Sequence, residues 1–317
     1  MRRYTPSISL DKKALSNVDE LLQKEWIITN GLGGYASSTV LGINTRKYHG
    51  VLVAAFHPPR DRRVCVTKMD EELKIGNAFY HTSANEFQDG IYPKGYKLLQ
   101  EFHLSPFPKY VYNIQNIIFS KTLLMPYKKN ATIAVYEFAN DDKADVEIRV
   151  FPLITCRHFH SVVDRWHNPP RFSQKIYNKR VKINIEKPQA TIILEATHGA
   201  YTQTGKWIER IYFREERNRG ESHLDDWYQP GFFEIKVGCK SVERFALTAV
   251  AGEDESNVEE VADEMPATIY DVENLYNAER ERREQMLERF YEEHKGVKIK
   301  DWLSWLVYAT DMFIVGS

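Results

Sequence analysis

The chain has 317 residues, with 43 Lys and Arg against 44 Asp and Glu and a net charge of −1. That balance offers no field to draw a nucleic acid or an anionic membrane, and both are excluded as expected partners. Its 43% hydrophobic and 27% charged residues fit a globular protein able to bury a substantial core, as one large domain or two ordinary ones. No stretch approaches the roughly 18 apolar residues of a spanning helix, and the basic start Met1-Arg2-Arg3 lacks the apolar segment of a secretory signal. Cys65, Cys156 and Cys239 have no metal-ligand spacing and read as buried free thiols. A cytoplasmic protein without cofactor or metal is expected.

The first run in chain order, Trp26-Ile27-Ile28-Thr29, reads as a short strand. The loop Asn30-Gly31-Leu32-Gly33-Gly34-Tyr35-Ala36 follows, and its Gly-x-Gly-x-x-Ala spacing matches a dinucleotide fingerprint. The context does not. Ser37, Ser38, Thr39 and Val40 are poor helix formers, and Gly42 interrupts them, so no helix N-terminus is available for a pyrophosphate. The strand at 51–56 ends in His57-Pro58-Pro59 rather than in the acid a ribose needs.

Read whole, residues 29–59 resemble the N-terminal domain of prokaryotic-type glycogen debranching enzymes (amylo-α-1,6-glucosidases). The resemblance rests on Thr29-Asn30-Gly31-Leu32-Gly33-Gly34-Tyr35-Ala36-Ser37, then Thr45-Arg46-Lys47-Tyr48-His49-Gly50, Leu52-Val53-Ala54-Ala55 and Pro58-Pro59. Val64-Cys65-Val66-Thr67-Lys68-Met69-Asp70-Glu71 continues it. A looser block combines Tyr212, Glu215, Glu216, Arg219 and Gly220 with Trp227-Tyr228, Pro230-Gly231 and Phe233-Glu234; Asn218 and residues 221–226 vary the pattern.

Beyond the loop, period-2 runs dominate to about residue 250. Residues 146–150, 181–185, 233–237 and 245–250 alternate, 132–139 and 191–196 are more uniformly apolar, and Asn, Asp, Gly and Pro separate them. Many strands with short turns predict antiparallel sheets packed face to face. The 13% aromatic content suits pleated surfaces, with sugar stacking as the alternative use. After Glu253 the period changes. Residues 266–295 read as a helix with a solvated charged middle, Glu279-Arg280-Glu281-Arg282-Arg283-Glu284, that bridges two bodies and stops at Gly296. Residues 300–315 read as a strongly apolar helix, with Trp302, Trp305, Leu306, Phe313 and Ile314 needing a cover.

The fold expected is therefore mainly β: a large antiparallel β-sandwich (supersandwich) over 1–255, a helical linker over 256–298, and from 299 to 317 what the resemblance implies is the first helix of a truncated catalytic α/α barrel. A helix docked back on the sandwich is the alternative for that last segment.

Glycoside hydrolysis needs two carboxylates flanking the scissile bond. Asp70-Glu71-Glu72, Glu215-Glu216 and Asp225-Asp226 are neighbours in sequence, point to opposite faces of any strand, and read as solvated turns. In the family the catalytic carboxylates belong to the barrel, so no catalytic residue is assigned. Substrate contacts are carried by the resemblance onto Asn30, Gly33, Gly34, Tyr35, Arg46, Tyr48 and His49, where polar donors beside a ring suit a saccharide. Trp227 and Tyr228 are a second candidate platform, with a tucked-in aromatic as the alternative. Cys156-Arg157-His158-Phe159-His160, with His167, lacks a third well-spaced ligand and is not expected to bind metal. Arg157, His160 and Trp166 instead read as polar contacts at a sheet edge.

The resemblance implies a non-catalytic sandwich domain of an enzyme that hydrolyses α-1,6 branch-point glucose in glycogen or limit dextrin. It also implies an α-glucan and a C-terminal α/α-barrel catalytic domain as partners. Alternatives are a stand-alone α-glucan-binding module, or a structural domain that forms homo-oligomers through its apolar last helix.

Overall fold

The computed structural model describes residues 4–167 and 169–315. The extreme termini read above, and Asn168 of the Trp-His-Asn-Pro-Pro turn, lie outside the described residues.

Two large antiparallel sheets form the body. The first has nine strands in the order Ile8–Leu10, Leu99–Leu104, Pro108–Ile114, Ile117–Leu124, Ala131–Asn140, Ser241–Gly252, Ala190–Ala196, Arg180–Ile185 and Phe172–Tyr177. The second runs Ala200–Tyr212, Leu224–Val237, Val146–His158, Arg60–Ile75, Gly50–His57, Tyr35–Thr39 and Glu25–Thr29, with Ala78–His81 paired to Arg60–Ile75. A small hairpin, Asn85–Phe87 with Gly90–Tyr92, completes the β structure.

Alternation decides which side chains go inward. In the second sheet, Val146, Ile148 and Val150 stand opposite Ile75, Leu73 and Glu71 on one side and Val237, Ile235 and Phe233 on the other. All but Glu71 join the core between the sheets. In the first sheet the inward rings of four successive strands stack: Tyr112 on Phe119 at 5.3 Å, Phe119 on Phe138 at 4.6 Å, and Phe138 on Phe245 at 5.8 Å. Much of the aromatic content is thus core, where such cross-strand pairs stabilise the sheet.

Among the described residues five α-helices accompany the sheets: α1 (Val18–Leu21), α2 (Arg214–Asn218), α3 (Glu255–Asp263), α4 (Ile269–Glu293) and α5 (Asp301–Phe313). Asp254 caps α3 and Thr268 caps α4 through side-chain bonds to backbone N–H groups. Both helices cover the outer face of the first sheet. Val258 and Ala262 pack on Ala131, Ile193 and Val250, while Val272 packs on Phe107, Leu124, Ile133 and Ala246. The charged middle of α4 is not solvated as expected. Glu279, Arg283 and Glu284 are buried, because that turn faces the sandwich: Glu279 accepts from the Tyr127 backbone N–H at 2.7 Å, and Arg283 lies over Phe107. Helix α5 docks on α4 through Tyr291–Ser304 and Arg282–Asp311 contacts, and leaves Trp302, Leu306, Phe313 and Ile314 exposed.

The glycine loop is the turn of a hairpin, with Thr29 opposite Tyr35 and the Asn30 N–H bonded to the Gly34 carbonyl. A Cβ on Gly31 (φ 74°) would lie 2.4 Å from the Tyr127 ring, and one on Gly33 (φ 90°) 2.9 Å from the Pro59 carbonyl oxygen. These glycines admit the protein's own chain at close range. Cys65 and Cys156 are buried free thiols, but Cys239 is exposed, because it sits in the turn before the strand Ser241–Gly252.

Candidate functional site

The segment Thr45–Gly50 leaves the strand Tyr35–Thr39 and folds back on itself. The Thr45 N–H donates to His49 Nδ1 at 3.1 Å, and the His49 N–H donates to the Arg46 carbonyl. This turn aims Arg46 and His49 at Glu25. Arg46 Nε lies 2.6 Å from Glu25 Oε1, and His49 Nε2 stands 3.7 Å from Oε2, too far for a hydrogen bond. Burial alone would push the Glu25 carboxyl up, but His49 and Arg46 outweigh it and hold it below the ordinary range. Its stabilising contribution is therefore complete above the unfolded value near 4.5 and is lost as pH falls through the depressed folded value. Glu25→Gln is expected to flatten the acid limb of a urea-midpoint against pH curve; an unchanged limb would refute the assignment.

The second sequence block arrives from 169 positions away. Helix α2 presents Glu216, fully buried, whose Oε2 accepts from the Lys47 N–H at 2.9 Å while Oε1 pairs with Arg219. The Glu215 N–H donates to the Thr45 carbonyl, and Lys47 Nζ pairs with Glu221. From the strand Val146–His158, Arg157 enters after a bulge at Cys156, which has φ 60°. Its Nε donates to Asp225 Oδ2 at 2.8 Å and its Nη2 to the Lys47 carbonyl at 2.8 Å. Asp225 also accepts from the Val163 N–H and from Trp227 Nε1. Among the described residues Thr45 Oγ1, His49 Nε2 and Arg157 Nη1 are buried and find no hydrogen-bond partner, so the segment keeps spare polar capacity inside.

Tyr48 rides on this base. Its carbonyl accepts from the Tyr35 hydroxyl at 2.8 Å, and its own hydroxyl meets His160 Nδ1 at 3.1 Å. Its ring is half-buried, edge-on to Phe159 and His160, with the charged ends of Lys47 and Arg219 at 5.5 and 5.9 Å from the centroid. Burial pushes the Tyr35 hydroxyl well above its ordinary range, so it stays a donor. The result is an aromatic ring on a rigid polar base, with His160 and Arg219 exposed beside it.

The structure therefore groups Tyr35, Arg46, Tyr48 and His49, and separates the rest. Asn30 is fully buried and ties its loop to the 129–130 backbone and side chain, while Gly33 and Gly34 pack on Pro59, Val53 and Asn130. Trp227 is 1% exposed inside a cluster with Leu153, Ile211 and Phe213, and leaves no ring face for a ligand. Tyr228 stacks on Phe172 at 4.4 Å. The acid pairs are not solvated turns: Asp70, Glu71, Glu216, Asp225 and Asp226 are all buried. Arg157 is buried too rather than at an edge, whereas Trp166 is exposed. Among the described residues no group of three or more His, Cys, Asp or Glu is arranged to hold a metal, and no helix is long and apolar enough to cross a membrane.

A family model described as "Glycogen debranching enzyme N terminal" matches residues 24–241, a span containing both sequence blocks of this site. No curated protein matches the chain. Among solved structures, a putative kojibiose phosphorylase from human microbiome is 9% identical, with 91% of this chain and 39% of that chain covered and a TM-score of 0.47. A bacterial glucoamylase complexed with acarbose is 12% identical, with 82% and 35% covered and a TM-score of 0.40. The chain thus spans less than two-fifths of the length of either.

Proposed function

Because this chain belongs to the glycogen debranching enzyme N-terminal family, we propose that it serves as the non-catalytic sandwich part of an enzyme that cleaves α-1,6 branch points in glycogen or limit dextrin. The observation that carries the reading is the convergence of the Thr45–Gly50 segment with buried Glu216, Arg157 and Asp225, and with exposed Glu221, into one ion network under Tyr48. Such a base fixes a ring and its flanking donors in one geometry, which suits stacking on a pyranose face with hydrogen bonds to its hydroxyls. The partners proposed are an α-glucan at the Tyr48 rim and a catalytic α/α-barrel domain covering the exposed apolar face of α5, in the cytoplasm.

Two measurements test this. The pure chain incubated with limit dextrin is expected to release no glucose, and release would overturn the non-catalytic role. In glycogen co-sedimentation, Tyr48→Ala is expected to weaken association by about tenfold, the effect of losing roughly 1.4 kcal/mol. Unchanged co-sedimentation would remove the rim from the glucan reading.

A further inference from the structure

The outer face of the second sheet carries a hollow apart from Tyr48. It lies between the small hairpin, whose Phe87 and Tyr92 form one wall, and the strands holding Asp70, Glu72, Phe151 and Lys206. Its volume of about 450 Å³ is within the roughly 300–1,000 Å³ usual for small-ligand sites. Asp70 and Glu72 are two apart on one strand, so both carboxylates face the hollow while Glu71 between them points into the core.

The polar groups here are incompletely used. Asp70 is 8% exposed; its Oδ2 accepts from Asn85 Nδ2 at 2.8 Å, but its buried Oδ1 accepts no hydrogen bond from the described residues. Lys68 Nζ forms an ion pair with that oxygen at 3.2 Å and donates hydrogen bonds to the Ala84 carbonyl and to Asn85 Oδ1. Glu72 stands 3.6 Å from both His81 and Arg149, beyond hydrogen-bond reach of either. Lys206 is exposed and has no partner among the described residues. It follows Gly205 (φ 71°) at a register shift between Gln203 and Lys206, the kind of bulge that re-aims a side chain. Tyr92 presents a half-exposed ring across the hollow from the partly buried ring of Phe151.

We propose that this hollow binds one uncharged hexose unit of an α-glucan, with Tyr92 against the sugar's C–H face and Asp70, Glu72 and Lys206 on its hydroxyls. An ionised carboxylate only accepts hydrogen bonds, and a sugar hydroxyl can donate to it, whereas the anionic oxygens of a phosphate or uronate cannot. Lys68 stands 3.2 Å from Asp70 and Arg149 3.6 Å from Glu72, so cations offset the carboxylates. With Lys206 beside them the hollow offers acceptors and a donor without a strong net field, which suits a neutral polyol. That the polyol is a glucan rests on the family reading above; the preference for a neutral ligand rests on the hollow alone.

The test is isothermal titration of the full chain with maltotriose, and with glucuronate as the anionic control. Tyr92→Ala and Glu72→Gln, both at solvent-accessible positions, are each expected to weaken maltotriose binding at least about tenfold, with glucuronate silent throughout. Thermal melts of both variants should match the parent, which separates lost binding from lost folding. Absence of maltotriose binding at millimolar concentration, or equal affinity in parent and both variants, overturns the proposal. Loss in Tyr48→Ala with none in Tyr92→Ala or Glu72→Gln also overturns it, while leaving the Tyr48 rim standing. Loss in Tyr92→Ala and Glu72→Gln but not in Tyr48→Ala supports the hollow and counts against the rim.

Discussion

Arg157→Ala is expected to lower the unfolding free energy by about 3–5 kcal/mol, the range for removing one partner of a buried ion pair. Asp225 has no solvent exposure, and among the described residues Arg157 supplies its only ionic partner; the other donors are the neutral Val163 N–H and Trp227 Nε1. The same substitution frees the Lys47 carbonyl and leaves a void under Phe213, whose ring lies 5.9 Å from the guanidinium carbon. Arg157→Lys keeps the charge but cannot span Asp225 and the Lys47 carbonyl with one planar fork, so an intermediate loss is expected. The double variant Arg157→Ala/Asp225→Asn should be much less destabilised than the sum of its singles, because the stranded charge is gone. Urea denaturation of the four proteins measures this. A loss below about 1 kcal/mol in Arg157→Ala would mean the pair is hydrated in solution and the base beneath Tyr48 is soft.

The sheets were legible because their cause is local. Residues 146–150 and 233–237 alternate, and alternation specifies which face is buried wherever a strand lies. That no helix follows the glycines at 31–34 was legible from the poor helix formers after them, but the hairpin they turn was not foreseen. Helix α3 escaped separate notice because only Val258 and Ala262 mark its buried face in a stretch of acids. The charges defeated local reasoning throughout. Glu71, Glu216 and Asp225 look like solvated residues until their partners arrive from 50, 169 and 68 positions away. Trp227 read as a candidate stacking platform before Pro230 and Gly231, yet all three lie in the strand Leu224–Val237, where the pairing with Ala200–Tyr212 slips and tolerates a proline. The period-2 rule dismissed adjacent acids correctly, but the same rule puts Asp70 and Glu72 on one face, a pairing that the sequence alone gave no reason to prefer over Glu71.

Lys121→Met carries the other large expected effect, again about 3–5 kcal/mol. Lys121 reaches across the sandwich interior from the first sheet to the second, placing Nζ 2.7 Å from Glu71 Oε1 and 3.1 Å from the Met69 carbonyl. Glu71 is 1% exposed and also accepts from the hydroxyls of Tyr136 and Thr82, both at 3.0 Å. Burial first, and then the charge of Glu71, hold the Tyr136 hydroxyl well above its ordinary range, so it remains a donor. With methionine at position 121, two neutral hydroxyls would have to hold an unpaired carboxylate between two sheets. The deficit should be greatest at neutral pH and shrink in acid, where protonation of the stranded group relieves it, whereas the parent gains nothing comparable. Lys121→Met/Glu71→Gln removes the charge and keeps acceptors for Thr82 and Tyr136, so it should recover most of the loss. Chemical denaturation at neutral and acid pH separates these cases. A Lys121→Met deficit independent of pH would show that packing, and not the inter-sheet charge pair, is what the lysine contributes.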